Sequence, residues 1–225
     1  MSLPRIALFD LDHTLIPIDS DFAWGEFTMD LGWVDAVEFK RQNDAFYAQY
    51  ADGSLDPHVY VRFATEAIRR QGASKSIAAR ADFMSAVMHK AIRPQALDLV
   101  RKHQAQGDAV VLVTATNEFV TRPIADAFGV QELLAVELAR DPETQWYTGE
   151  IQGTPSFREG KVTRVTQWLQ QRGLAWDQVH TTFYSDSHND LPIMERSNVA
   201  IATNPDAKLR KVAEARGWRI LELFA

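Results

Sequence analysis

The apolar run Ile6-Ala7-Leu8-Phe9 ends abruptly in Asp10-Leu11-Asp12-His13-Thr14. A short continuous apolar run of this kind reads as a strand buried on both faces. Two carboxylates at its C-terminal end are costly inside a protein unless something uses their charge. The chain therefore needs a fold that covers this strand from both sides and opens a crevice where it stops.

The remaining pattern supplies such a fold. From residue 94 onward, helical and strand-like segments alternate. A helix from Pro94 to Gln106 precedes a strand over 109–113 ending at Thr114, and a further helix carrying Pro123 runs to Gly129. Residues 133–138 and 146–151 read as a hairpin around Asp141-Pro142-Glu143. Gly160 and Lys161 open a helix that reaches Arg172. Short strands are expected at 181–185, 199–202 and 218–221. Alternation of this kind predicts an α/β fold with a Rossmann-like, mostly parallel sheet. Residues 19–91 differ. Aromatic and aliphatic residues recur there at helical spacing, with breaks near Gly32, Gly53 and Gly72, which predicts four helices and no strand. The expected organisation is a core of residues 1–16 and 93–225 with an inserted helical cap over 17–92.

Composition narrows the function classes. A net charge of −6 argues against nucleic acid or an anionic membrane as the main partner. The absence of cysteine excludes disulfides, thiolate metal sites and a cysteine nucleophile. Charge interrupts every apolar stretch before it could span a bilayer. The first residues enter a strand pattern with no basic-then-apolar leader. A cytoplasmic enzyme acting on a small molecule is expected, and the sequence is silent on oligomeric state.

Ligands of open parallel sheets bind outside the carboxyl ends of the strands. Three strands here end in reactive side chains: Asp10 with Asp12, then Thr114, then Asp186 with Asp190. Such a set suits phosphoryl transfer, because a carboxylate attacking an anionic ester needs a hard cation such as Mg²⁺ to offset repulsion. The expected metal ligands are Asp10, Asp186 and the main chain at Asp12, with Asp190 holding metal-bound water or Lys161. Asp10 would attack phosphorus, and Asp12 would protonate the leaving alkoxide and then activate water. Thr114, Lys161 and the amides of Leu11 and Ala115 would hold phosphoryl oxygens, and Asn189 would orient them.

In order and separation, these motifs resemble those of the haloacid dehalogenase superfamily of phosphatases. They are Asp10-Leu11-Asp12-His13-Thr14, Thr114 after its apolar strand, Lys161, and Ser185-Asp186-Ser187-His188-Asn189-Asp190. The helical insertion resembles the cap of phosphoserine phosphatases and their relatives. In that family a cap glutamate nine residues after the nucleophile and a cap arginine contact the amino-acid part of the substrate. Here Asp19 takes the glutamate's place, and Arg62, nine residues after Gly53, resembles the arginine. The segments Asp19-Ser20-Asp21-Phe22-Ala23-Trp24 and 115–121 are more similar to a bacterial branch that includes histidinol-phosphate phosphatases. The resemblance implies Mg²⁺ as cofactor and L-histidinol phosphate as candidate substrate, with Asp19 or Asp21 on the ammonium group and Trp24 stacked on the imidazole. Phosphoserine hydrolysis, a phosphomutase and a non-catalytic phosphate-binding module remain open alternatives.

Plainer roles compete for several of these residues. Asp19 and Asp21 are good helix N-caps, Trp24 is a good packing residue, and Arg62 suits a solvated helix face. Asp186 or Asp190 could cap the helix that begins near Leu191. His13 reads as a spacer, and His188 has no second histidine at ligand spacing.

Overall fold

The computed structural model describes residues 3–225. The first strand, β1 (Arg5–Phe9), lies inside a six-stranded parallel sheet. Its neighbours are β2 (Ala109–Asn117) and β6 (His180–Ser185), and the other strands are β3 (Glu132–Val136), β7 (Val199–Thr203) and β8 (Arg219–Leu221). The spatial order is β3-β2-β1-β6-β7-β8. In register, Phe9 stands beside Leu112 on one side and Tyr184 on the other. The chain thus adds strands outward from β1 in one direction, then returns and adds them in the other. This reversal puts the switch point at the C-terminal end of β1, where Asp10 begins.

Helices cover both faces, as a sheet buried on each side requires. One face packs with α7 (Pro94–Ala105) and α8 (Glu118–Ala127), in a core that includes Phe9, Leu112, Val100 and Ile124. The other packs with α9 (Glu159–Gln170), α10 (Leu191–Arg196) and α11 (Ala207–Arg216), around Leu8, Val113, Val165 and Phe183. Among the described residues, no helix is long and apolar enough to cross a membrane.

Between β1 and β2 lies the helical insertion: α1 (Ser20–Asp30), α2 (Ala36–Asp52), α3 (Pro57–Ala64), α4 (Glu66–Gln71), α5 (Ala73–Phe83) and α6 (His89–Ala91). Aspartates at 19, 35 and 56 cap α1, α2 and α3 by accepting backbone N–H bonds. Four helices were expected, and two of those segments are subdivided. The stretch from Pro57 to Gln71 breaks at Thr65, whose hydroxyl donates to the Val61 carbonyl at 2.6 Å and so competes with the helical ladder. After α5 the chain makes a π-helical turn over Met84–Met88.

The expected hairpin also divides. Glu132–Val136 joins the main sheet beside β2, and only β4 (Leu138–Arg140) pairs antiparallel with β5 (Tyr147–Ile151). Leu134, Ala135 and Val136 are buried consecutively, as a strand covered on both faces must be. The sequence Leu133-Leu134-Ala135-Val136-Glu137-Leu138 carries no periodic mark of where one strand stops and the next starts.

Trp24 joins insertion to core. It is 2% exposed, and its ring lies 5.3 Å from Phe83 and 5.6 Å from Phe119, centroid to centroid. A second joint forms where Pro123, lacking an N–H, leaves the Phe119 carbonyl without its usual partner in α8. The Arg80 guanidinium from α5 donates to that carbonyl at 2.8 Å. Trp24→Ala should therefore destabilise the protein by about 3–5 kcal/mol, with Trp24→Phe costing less, as read from denaturant midpoints. Loss of substrate affinity at unchanged stability would instead place Trp24 in recognition.

Candidate active site

At the C-terminal ends of β1, β2 and β6 the sheet opens into a cavity of about 340 Å³, roofed by the helical insertion. Asp10, Asp12, Thr114, Ala115 and Asp186 line its floor. The acids expected from separate motifs do converge. Lys161 Nζ donates to Asp10 Oδ1 at 2.7 Å and to Asp190 Oδ2 at 2.7 Å. The Thr14 hydroxyl lies 3.3 Å from Asp10 Oδ2 and 3.1 Å from Asp186 Oδ1, so it spans the two strands. Ser185 Oγ donates to Asp190 Oδ2 at 2.7 Å.

Asp12 is held differently. The Ser20 amide donates to its Oδ1 at 2.7 Å and the Thr116 hydroxyl to its Oδ2 at 2.8 Å. Residues of one strand alternate between faces, so Thr114 and Thr116 share a side of β2. That alternation was the available signal for Thr116, which the motif reading overlooked. Thr14 and Ser185 stand inside the recognised motifs, yet their bridging roles became visible only in three dimensions.

Electrostatics follow from burial. The Asp12 carboxyl is pushed up to about 6, first by desolvation and then by the neighbouring Asp19 charge. Asp190 is also raised to about 6 by burial, with Lys161 opposing. Asp10 is raised by burial against the pull of Lys161, and Asp186 is raised well above the carboxylate range by burial and by Asp10 and Asp190. For Lys161, burial alone would favour the neutral amine, but the Asp10 and Asp190 charges outweigh it and hold the ammonium above its ordinary value. One ammonium among four carboxylates leaves an excess of negative charge. The same crevice can accept an anion only with further positive charge. Among the described residues no three His, Asp or Glu side chains gather into a set that could hold a metal. A Mg²⁺ site does not require three, since that ion takes one or two carboxylates and completes its shell with substrate and water. Asp10 and Asp186, the carboxylates shared by Thr14, are the donors that fit it.

Several expected residues stand elsewhere. Lys161 is 1% exposed and sits beneath the floor, committed to two carboxylates rather than facing the cavity. Asn189 Nδ2 donates to the Tyr50 carbonyl of α2 at 2.8 Å. Leu11 is fully buried, with its amide beside the Asp10 carboxylate. Trp24 lies in the aromatic cluster described above rather than on the cavity wall. Arg62 pairs with Glu150 of β5 at 3.1 Å, outside the cavity.

Asp19 and Asp21 do line the cavity. Asp19 also caps α1, its Oδ1 accepting from the amides of Asp21 and Phe22. Asp21 is 6% exposed and accepts from Asn117 Nδ2 at 3.1 Å. Around them stand Phe22, Asn43, Phe46, Tyr47 and Tyr60, none of which the sequence reading had assigned to the site. His13, expected as a spacer, adopts a left-handed φ of 55° and also lines the cavity, with its Nε2 buried and unpartnered.

Residues 7–195 of the chain match the family described as haloacid dehalogenase-like hydrolase. Over 220 residues it is 38% identical to a histidinol-phosphatase of Neisseria meningitidis serogroup C (strain 8013), covering 97% of this chain and 99% of that protein. A crystal structure of a protein of unknown function from Bordetella pertussis Tohama I superposes with a TM-score of 0.92 at 45% identity, covering 99% of this chain and 100% of the other. A phosphoserine phosphatase solved as a phospho-aspartyl intermediate analogue superposes with a TM-score of 0.68 at 15% identity, covering 98% and 94%. That last likeness is one of fold.

Burial raises the Asp21 carboxyl to about 7, with the Asp19 charge adding to the effect. A carboxyl whose folded value lies above its unfolded one binds more protons when folded. It therefore erodes stability as pH rises from about 4 through 7. Asp21→Asn should raise the unfolding free energy by about 2–4 kcal/mol at pH 8 and change it little at pH 4. Denaturant titrations at the two pH values check this, and equal effects at both would remove the buried charge as the cause.

Proposed function

The chain belongs to the haloacid dehalogenase-like hydrolase family and is a phosphatase, and on that premise we propose that it hydrolyses a small phosphomonoester with Mg²⁺ through an aspartyl-phosphate on Asp10. The observation that carries this reading is the buried Asp10 carboxylate. One of its oxygens is held by Lys161, and the other shares the Thr14 hydroxyl with Asp186.

Lys161 fixes Asp10 Oδ1, which leaves Oδ2 as the atom to attack phosphorus. A divalent cation held by Asp10 and Asp186 would offset the repulsion between nucleophile and substrate. Asp12 is fixed by two hydrogen bonds, and its value near 6 lets it be either acid or base close to neutral pH. It donates a proton to the leaving alkoxide, which departs as an alcohol while phosphorus becomes bonded to Asp10. It then takes a proton from the water that attacks phosphorus, which frees phosphate and restores Asp10. Thr114 and the amide of Ala115, both at the cavity, are the donors for phosphoryl oxygens. The insertion serves as a cap over 17–92 that screens this chemistry from bulk water.

For the substrate we favour L-histidinol phosphate. The upper cavity offers Asp19 and Asp21 together with aromatic walls, which suits an ammonium group and a planar ring. Phosphoserine carries a carboxylate, and the arginine that would meet it, Arg62, is paired with Glu150 away from the cavity. The Neisseria relative bears the name histidinol-phosphatase. Such a substrate would place the enzyme in amino-acid biosynthesis.

Phosphate release from a panel containing histidinol phosphate, phosphoserine and an aryl phosphate tests these points. Turnover should need Mg²⁺ and should favour histidinol phosphate over phosphoserine in kcat/KM. Asp10→Asn should lower turnover by roughly a thousand-fold or more while leaving the fold intact. Retained activity in that variant would remove Asp10 as nucleophile, and a preference for phosphoserine would remove the substrate assignment.

A further inference from the structure

The last carbonyls of any α-helix lack partners within the helix. At the end of α2 the local turn meets some of them, and donors from across the molecule reach those of Tyr50 and Ala51 and the carbonyl of Gly53 just beyond. Asn189 Nδ2 donates to the Tyr50 carbonyl at 2.8 Å, Lys208 Nζ to the Ala51 carbonyl at 3.1 Å, and Arg158 Nη1 to the Gly53 carbonyl at 2.9 Å. All three donors come from the core and all three acceptors from the insertion. Two of the donors are cations set against the negative end of the α2 dipole. Gly53 ends the helix at φ 84°, and a Cβ there would come within 3.4 Å of both Arg158 Nη1 and Asn189 Oδ1. Glycine thus serves the left-handed turn and the close approach together.

Each donor is also tied to the catalytic floor. Asn189 immediately precedes Asp190 and follows His188, which lines the cavity. Lys208 Nζ lies 3.4 Å from His188 Nε2, and His188 Nδ1 lies 2.9 Å from Asp206. Arg158 holds a left-handed φ of 51° at the start of α9, the helix that delivers Lys161. A non-glycine residue in this region is strained and persists only where its surroundings enforce it. The Tyr50 ring closes the same edge, 5.8 Å from Phe157.

We infer that Arg158, Lys208 and Asn189 are positioning residues that latch the C-terminal end of α2 onto the core and thereby set how often the cap opens. Substrate entry and product release break these three bonds, and closure remakes them at the rim of the cavity. The inference rests on the phosphatase reading for its effect on turnover, but the latch itself is a contact that can be measured without turnover.

Amide hydrogen exchange on the full-length protein tests it, comparing the wild type with the double variants Arg158→Met/Lys208→Met and Arg158→Lys/Lys208→Arg. The methionine pair should speed exchange over residues 49–57 by about tenfold or more while protection in the sheet stays unchanged. With an aryl phosphate it should raise KM several-fold without a matching fall in kcat. The charge-conserving pair should recover both readouts in part or in full. Unchanged exchange at 49–57 would overturn the latch. So would acceleration spread evenly through the strands, which marks general destabilisation. If the wild type hydrolyses no phosphomonoester, the phosphatase reading falls, and the exchange comparison still decides whether the latch exists.

Discussion

A single buried ammonium organises the site. Lys161 bridges Asp10, just past β1, and Asp190, in the turn after β6, and neither acid could be buried there at comparable cost without it. Buried ion pairs tend to lose in desolvation what they gain in attraction unless other hydrogen bonds complete them. Here Thr14 completes Asp10 and Ser185 completes Asp190. What remains is a surplus of negative charge at the floor of a cavity. That surplus is a structural cost, which a divalent cation beside Asp10 and Asp186 would offset.

The fold divides the work between rigid and movable parts. Strand ends fix Asp10, Thr114 and Asp186 in a sheet whose register allows little play, as a reaction governed by in-line geometry needs. The helical insertion supplies the upper wall, where Asp19, Asp21 and the aromatic rings line the cavity. Its attachment is uneven. Near β1 and α8 it is anchored by the buried Trp24 cluster, an apolar joint reinforced by the Arg80 hydrogen bond to the Phe119 carbonyl. At the far end of α2 it meets the core through three polar bonds. An apolar joint at one end and a polar one at the other is the arrangement expected of a hinge and a clasp.

Much of this was legible in the sequence. Apolar runs ending in Asp10, Thr114 and Asp186, separated by helical periods, predict the parallel sheet and the convergence of the acids, because both depend on local pattern plus the rule that crevices form at strand ends. What was not legible depended on long-range pairing. The run from Leu133 to Leu138 contains two strands that belong to different sheets, and nothing in its composition divides them. Arg62 stood nine residues after Gly53 and Trp24 in the segment 19–24, both suggestive by resemblance, yet the packing of the insertion turned one toward Glu150 and the other into a cluster of rings. Tyr60, Asn43 and Phe46 reach the cavity only because α2 and α3 fold back over it, and no short-range signal marks them. Asn189 was read as a phosphate contact from its motif, and its amide nitrogen is instead directed at α2.

The covalent step is the most direct point of test. The protein should be mixed with an excess of phosphomonoester and Mg²⁺, quenched in acid during turnover, reduced with borohydride and digested for mass spectrometry. An acyl phosphate on Asp10 would be reduced to homoserine at that position alone, and the Asp12 side chain would be unchanged. Steady hydrolysis with Asp10 intact, or with the modification on another residue, would contradict a nucleophilic carboxylate at the end of β1.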